Sequence, residues 1–264
     1  MDFPRQCEFV ARLGYDGLEV APFTLGEDSF LMPAAKRVEI RRAASDAGIA
    51  ILSLHWLLIK PKGLSITTED AAVRNRTIEI MRRLVGLAAD LGAKVLVHGS
   101  PAQRRLPEGA GAEAARIRGI EAFAAVAPEA QKAGVVYCVE PLAPPDANFV
   151  TCIAEAAEIV RKIGNPALCT MVDCSAAARS ESLSVADLLD RWLPSGLVAH
   201  IQVNDRNRRG PGQGVDSFAP VFAALRRHNY AGAVAVEPFD YVPDGPASAA
   251  RAIGYIRGIL ETLP

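Results

Sequence analysis

The sequence predicts an α/β fold, a (β/α)8 TIM barrel in one domain over residues 1–264, with seven strands visible and the first lacking. Three observations carry this reading. Short β-branched apolar runs alternate with longer stretches of helical periodicity, the pattern of parallel strands joined by crossover helices. Each apolar run ends on or near one polar residue: Glu19, His55, His98, Glu140, Asp173, Gln202 and Glu237, at intervals of 36, 43, 42, 33, 29 and 35 residues. In a (β/α)8 barrel the C-terminal strand ends ring one mouth, whereas a doubly wound sheet gathers its ligands at one switch point. Finally, no Ser/Gly linker, charge block or low-complexity stretch divides the chain.

The elements follow in order. The chain enters a helical stretch at once, Gln6 to Leu13, stopped by Gly14. A strand should precede that helix and none is visible. Either it was lost to a late start site or truncation, or the barrel closes some other way, and a gap would leave unpaired strand edges. GLEVAP (17–22) is the first strand, and Pro33 to Gly48 is a helix with Pro at its start and Gly at its end. AILSLHWLL (50–58) is the next strand. Thr68 to Leu91 is an amphipathic helix with Glu69 and Asp70 in its first turn and Gly92 as terminator. AKVLVHGSP (93–101) and VVYCVEPL (135–142) are strands. Thr151 is expected to cap a helix to Ile163, ended by Gly164-Asn165-Pro166. CTMVDCS (169–175), LVAHIQVND (197–205) and AVAVEPF (233–239) complete the strands, and Asp244 to Leu263 is the closing helix.

Composition narrows the function. Half of the 264 residues are hydrophobic, enough for a sizeable core. Lys plus Arg number 29 against 30 Asp plus Glu, a net charge of −1 that supplies no basic surface for nucleic acid. The longest apolar run, 50–59, is interrupted by Ser53 and His55 and is too short for a membrane span. The first residues, MDFPRQCEF, do not read as a secretory signal. Five cysteines without CxxC spacing argue against a disulfide scaffold or a cysteine zinc site, so a cytoplasmic location is expected. Neither GxGxxG nor GxxxxGK[ST] occurs, so no nucleotide cofactor is expected.

Glu140, Asp173, Gln202 and Glu237 lie on four consecutive strands. Three carboxylates converging on one mouth repel one another unless a cation sits between them. Three carboxylates and one amide oxygen suit a hard divalent ion, Mn²⁺ first with Mg²⁺ or Co²⁺ as alternatives, better than Zn²⁺.

On these residues the sequence resembles the xylose isomerase-like barrels, a family that includes tagatose/psicose-type ketose 3-epimerases, hydroxypyruvate isomerase, inosose-processing enzymes and apurinic-site endonucleases. The resemblance runs from Phe3 onward and is strongest in VEP (139–141), MVD (171–173), HIQVNDRNRRGPGQG (200–214) and VEP (236–238). It implies a metal held by Glu140, Asp173, Gln202 and Glu237, although Gln202 stands where the epimerases carry His. The hydroxypyruvate isomerase branch has Gln in a similar His-Ile-Gln context. The endonuclease branch needs a three-zinc cluster with further histidines. Ala176 stands where one would be required, and the chain has only His55, His98, His200 and His228.

The resemblance further implies isomerisation or epimerisation of a small sugar or keto acid through a metal-stabilised enediolate. Glu140 and Glu237 would be the catalytic acid and base. His55, Trp56, His98, Asp146, His200 and Arg208 are expected to bind substrate. The same intermediate would also serve a lyase or dehydratase acting on a keto-sugar, and a non-catalytic sugar-binding barrel is the third alternative. A neighbouring subunit in a homo-oligomer could cover the gap left by the missing strand.

Overall fold

A computed structural model describes residues 1–263 of the chain. Seven parallel strands, β1 (Gly17–Val20), β2 (Ala50–Leu54), β3 (Val95–His98), β4 (Val136–Val139), β5 (Leu168–Asp173), β6 (Val198–Val203) and β7 (Val234–Val236), pair in sequence order. The helices between them are α1 (Phe3–Leu13), α2 (Ala34–Asp46), α3 (Ala71–Leu91), α4 (Ala112–Ala133), α5 (Ile153–Ile163), α6 (Cys174–Ser180), α7 (Val185–Trp192), α8 (Ala219–Arg227) and α9 (Gly245–Thr262). Every apolar run named above contributes a strand, each shorter than its run because ladder pairing ends before the mouth loops begin, and β5 starts one residue ahead of its run at Leu168.

Local chemistry sets the helix ends. The Asp2 side chain accepts from Arg5 N at 3.0 Å, and Asp70 accepts from Ala72 N and Val73 N. The Asp244 side chain accepts from Ala247 N. Each satisfies amides that the first turn leaves without partners. Thr151 does not cap α5. Cys152 occupies that position without a side-chain bond, while Glu155 and Glu181 carboxylates accept from Thr151 N and Ile153 N. Acidic side chains reaching in from the helix and from a neighbouring loop replace the expected hydroxyl.

Strand alternation separates two apolar regions. Val95, Val97, Cys138, Cys169 and Met171 fill the barrel interior, whereas Leu96, Tyr137 and Val139 join the layer packed under the helices. On β6, Ile201 and Val203 face outward, which turns His200 and Gln202 inward.

The barrel is not closed. Among the described residues no backbone ladder joins β7 to β1. Between them runs a slot of about 220 Å³, lined by Val10, Tyr15, Leu18, Leu52, Val234 and Val236. At the mouth end a second cavity of about 400 Å³ reaches Glu19, His55, Trp56, Glu237 and Tyr241.

Candidate active site

Three carboxylates meet at the mouth: one ligand oxygen each from Glu140, Asp173 and Glu237 lie within 4.8 Å of one another, and all three residues are buried. The alternation of β4, β5 and β7 carries each side chain inward at a strand end. Glu140 follows β4, with its backbone fixed on both sides. Its N–H donates to His98 O at 3.2 Å, and its carbonyl accepts from Arg104 Nη2 at 2.7 Å. Gly99 packs directly against the Glu140 carboxylate, and any Cβ there would collide with Oε2. Asp173 ends β5 and caps α6, accepting from Ala176 N at 2.6 Å and from Asn204 Nδ2 at 2.7 Å. Glu237 Oε1 lies 2.7 Å from His55 Nδ1 and accepts from Trp56 Nε1 at 3.1 Å. Its Oε2 is buried and has no partner among the described residues.

Gln202 stands beside Asp173 in register. Its amide nitrogen donates to Glu19 Oε1 at 2.7 Å, leaving the carbonyl Oε1 buried without a partner. Glu19 anchors this side of the site. It also accepts from Ser53 Oγ at 2.6 Å and lies 2.8 Å from His200 Nε2 and 3.8 Å from His55 Nδ1.

The electrostatics divide the acids into two groups. Burial pushes Glu140 well above the usual carboxylate range, and repulsion from Glu237 and Asp173 adds to the rise. Asp173 is pushed up to about 7 by burial and by Glu237, against hydrogen bonds from Ala176 and Asn204. Glu237 is raised by burial, partly offset by His55. Burial would raise Glu19 too, but His200 and His55 outweigh it and hold its carboxyl well below the ordinary range. His55 is raised in turn, because Glu19 and Glu237 overcome its desolvation. Crowding and burial thus disfavour simultaneous ionisation of the three ring acids, whereas Glu19 is held ionised by its surroundings. Two orphaned oxygens, Glu237 Oε2 and Gln202 Oε1, complete an oxygen donor set that fits a hard divalent cation. Glu19, His55 and Glu237 form a second close group sharing one member with the first.

Above the ring opens a cavity of about 400 Å³. Trp56, Asp146 and Arg208 line it. Trp56 stacks on Phe239 at 6.0 Å, and the Arg208 guanidinium lies 5.0 Å from the Phe239 ring centre. The Asp146 carboxylate accepts from Arg179 Nη1 at 2.9 Å. His55 and His200 lie in the network around Glu19, His200 fully buried. His98 is not brought to the cavity. Alternation on β3 turns its ring outward, where it meets Phe123 edge-on at 5.1 Å and Nδ1 lies 2.7 Å from the Tyr137 hydroxyl.

Sequence reasoning gave no role to Glu19, Asn204, Arg104, Arg105 or Arg179. Glu19 had a signal, since it ends a strand like the other acids. Asn204 follows Gln202 by two residues, the spacing that keeps a strand residue on the same face, and it donates to both Asp173 Oδ2 and the Glu237 carbonyl. Arg104 had none. It ends a short 3-10 turn (Pro101–Arg104) yet is fully buried, bonded to the Glu140 carbonyl.

The chain matches the xylose isomerase-like TIM barrel family over residues 7–259. It is 32% identical over 236 residues to a D-psicose 3-epimerase of Agrobacterium fabrum, covering 88% of this chain and 78% of that protein. A crystal structure of D-psicose 3-epimerase obtained in the presence of D-fructose superposes with a TM-score of 0.82 at 24% identity, covering 98% of this chain and 94% of that one. The 3-keto-D-glucoside 4-epimerase of E. coli gives 0.83 at 19% identity, covering 97% and 94%. At these identities the structural matches establish the fold, and the family match spans nearly the whole chain. This protein belongs to the xylose isomerase-like TIM barrel family.

Proposed function

We propose that the chain is a divalent-metal-dependent ketose epimerase that moves one proton at the carbon beside the sugar carbonyl. It is an enzyme of the isomerase class, as its curated relative is. The observation that carries the reading is the buried ring of Glu140, Asp173 and Glu237 with two unpartnered oxygens facing no protein donor. Glu140, Asp173, Gln202 and Glu237 would hold the ion, and Mn²⁺ is our assignment, with Mg²⁺ or Co²⁺ as alternatives. Bound there, a divalent ion would polarise the ketose carbonyl and its neighbouring hydroxyl and so acidify the C–H beside them.

The chain's own residues do the rest. Glu140 and Glu237 project from strand ends β4 and β7, which are not neighbours in the barrel. One carboxylate removes the proton and the other returns one to the opposite face of the planar enediolate. General acid–base catalysis of this kind is worth about 10²–10⁴ in rate. His55 and Trp56 aim Glu237 by holding its Oε1. Asn204 and the Ala176 amide orient Asp173, and Glu19 takes the nitrogen of Gln202, leaving its amide oxygen unpartnered. The Trp56–Phe239 wall offers an apolar face for sugar carbons.

The test is epimer formation by metal-stripped and Mn²⁺-reloaded protein on a panel of pentuloses and hexuloses, resolved by chromatography. Metal-dependent appearance of a C3 epimer is expected, with a loss of at least about a hundredfold in Glu140→Gln and in Glu237→Gln. Equal activity after chelation, or in both variants, contradicts the reading.

A further inference from the structure

We propose that the substrate is an anionic ketose, a phosphate ester or a carboxylate, whose charged end is held at the rim by Arg105, Arg179 and Arg208; this rests on the epimerase reading above. The 400 Å³ cavity has an uneven charge distribution. Its floor is acidic, with Glu140 and Asp173 buried, while three guanidiniums stand around its outer part against one rim carboxylate, Asp146. Asp146 offsets only one of the three charges. It receives Arg179 Nη1 on its carboxylate at 2.9 Å and Arg105 Nη2 on its backbone carbonyl at 3.1 Å. The acid thus tethers two arginines side by side. Arg179 Nη2 and Arg105 Nη1 have no protein partner among the described residues. The Arg208 side chain has no carboxylate partner among the described residues and lies over Phe239.

Arg208 is also held at some conformational cost. Its φ is 69°, in the left-handed region that non-glycine residues avoid. The loop enforces that geometry: Arg208 N donates to Asp205 O, and the Arg208 carbonyl accepts from both Phe239 N and Asp240 N. A backbone constrained in this way fixes the direction from which the guanidinium approaches the mouth.

A neutral ketose offers only hydroxyls, which a cluster of this charge does not require. Guanidiniums with free N–H groups match the fork geometry of a phosphate or carboxylate. A ketose whose carbonyl end meets the acidic floor would present a terminal anion to the rim. The acidic floor repels that same anion, so the charge pattern also sets the direction in which substrate enters.

The experiment compares kcat/KM for matched pairs on the Mn²⁺-loaded enzyme: ribulose with ribulose 5-phosphate, and fructose with fructose 6-phosphate and with fructuronate. Calorimetric titration with inorganic phosphate runs alongside. We expect the charged members to be favoured at least tenfold, a preference that 0.5 M KCl and either Arg179→Met or Arg105→Met reduces severalfold. Phosphate should bind and lose affinity in the same variants. Whether the ester or the carboxylate is preferred identifies the anion. If neutral ketoses epimerise as well as their charged partners, the anion proposal falls while the epimerase reading stands. If no ketose reacts, the epimerase reading fails, and the phosphate titration decides the rim alone: binding lost in the variants upholds the anion site, and no binding overturns it.

Discussion

At the scale of single residues, the site depends on close packing behind the acids as much as on the acids themselves. Gly99 matters because the Glu140 carboxylate occupies the space that a side chain would need. Gly99→Ala is expected to displace that carboxylate and weaken Mn²⁺ binding at least tenfold by titration, with the circular dichroism spectrum unchanged. Unaltered Mn²⁺ affinity would contradict this placement of Glu140. Glu19→Gln should act differently, since it removes the charge that offsets His200 and His55 and unsettles the Gln202 amide. We expect it to lower metal affinity and to cost about 1–3 kcal/mol of stability, the range for breaking a buried polar network, measured by urea titration. The carboxylate ring was legible in the sequence because each member ends an apolar run. The roles of Glu19 and Arg104 were less so. Glu19 stands on β1, which has one neighbouring strand, and the burial of Arg104 arises from a short 3-10 turn that brings it to the Glu140 carbonyl, which no periodicity records. His98 shows the converse, a polar strand-end residue whose position one step out of phase turns it toward α4.

At the scale of elements, β5 and β7 mark the extremes. All six residues of β5 are buried, and the strand is paired on both sides. β7 has three half-buried residues and only one neighbour, and β1 likewise pairs only with β2. Backbone amides on unpaired edges open at lower free energy than those inside a ladder. Hydrogen exchange should therefore run at least tenfold faster in β1 and β7 than in β4 and β5, and equal protection across the sheet would mean that the slot is closed in solution. The order of strands and helices was readable from periodicity and from terminators such as Gly14 and Gly92, both in the left-handed conformation. The start of α5 was not, because its amides are met by Glu155 and Glu181 rather than by the residue at the cap.

At the scale of the whole molecule, the barrel gathers three acids whose pKa values are raised and one whose value is depressed. A group whose folded pKa lies above its unfolded value binds more protons in the folded state, so stability falls as pH rises between the two values. For Asp173 that window runs from the ordinary carboxylate range to about 7. Glu140 and Glu237 act in the same direction, whereas Glu19, whose value is depressed, loses its contribution only as pH falls below the ordinary carboxylate range. Metal-stripped protein should therefore melt lower at pH 7.5 than at pH 5.5. Saturating Mn²⁺ should raise the melting temperature more at the higher pH, at roughly 2–4 °C per kcal/mol for a chain of this size. An equal Mn²⁺ increment at both pH values would mean that the ion does not relieve the acids. The open seam between β7 and β1 was visible in the sequence as a strand too few, and the structure adds that the seam reaches Glu19 and Glu237. In the proposed reaction a buried acid pair moves a proton beside a ketose carbonyl. The measurement that addresses it most directly is NMR of a turned-over ketose in D₂O with Mn²⁺-loaded protein. The account predicts deuterium at the carbon bearing the hydroxyl next to the carbonyl, with incorporation lost in Glu237→Gln. Epimer formed with that hydrogen fully retained, or incorporation unchanged in the variant, would contradict it.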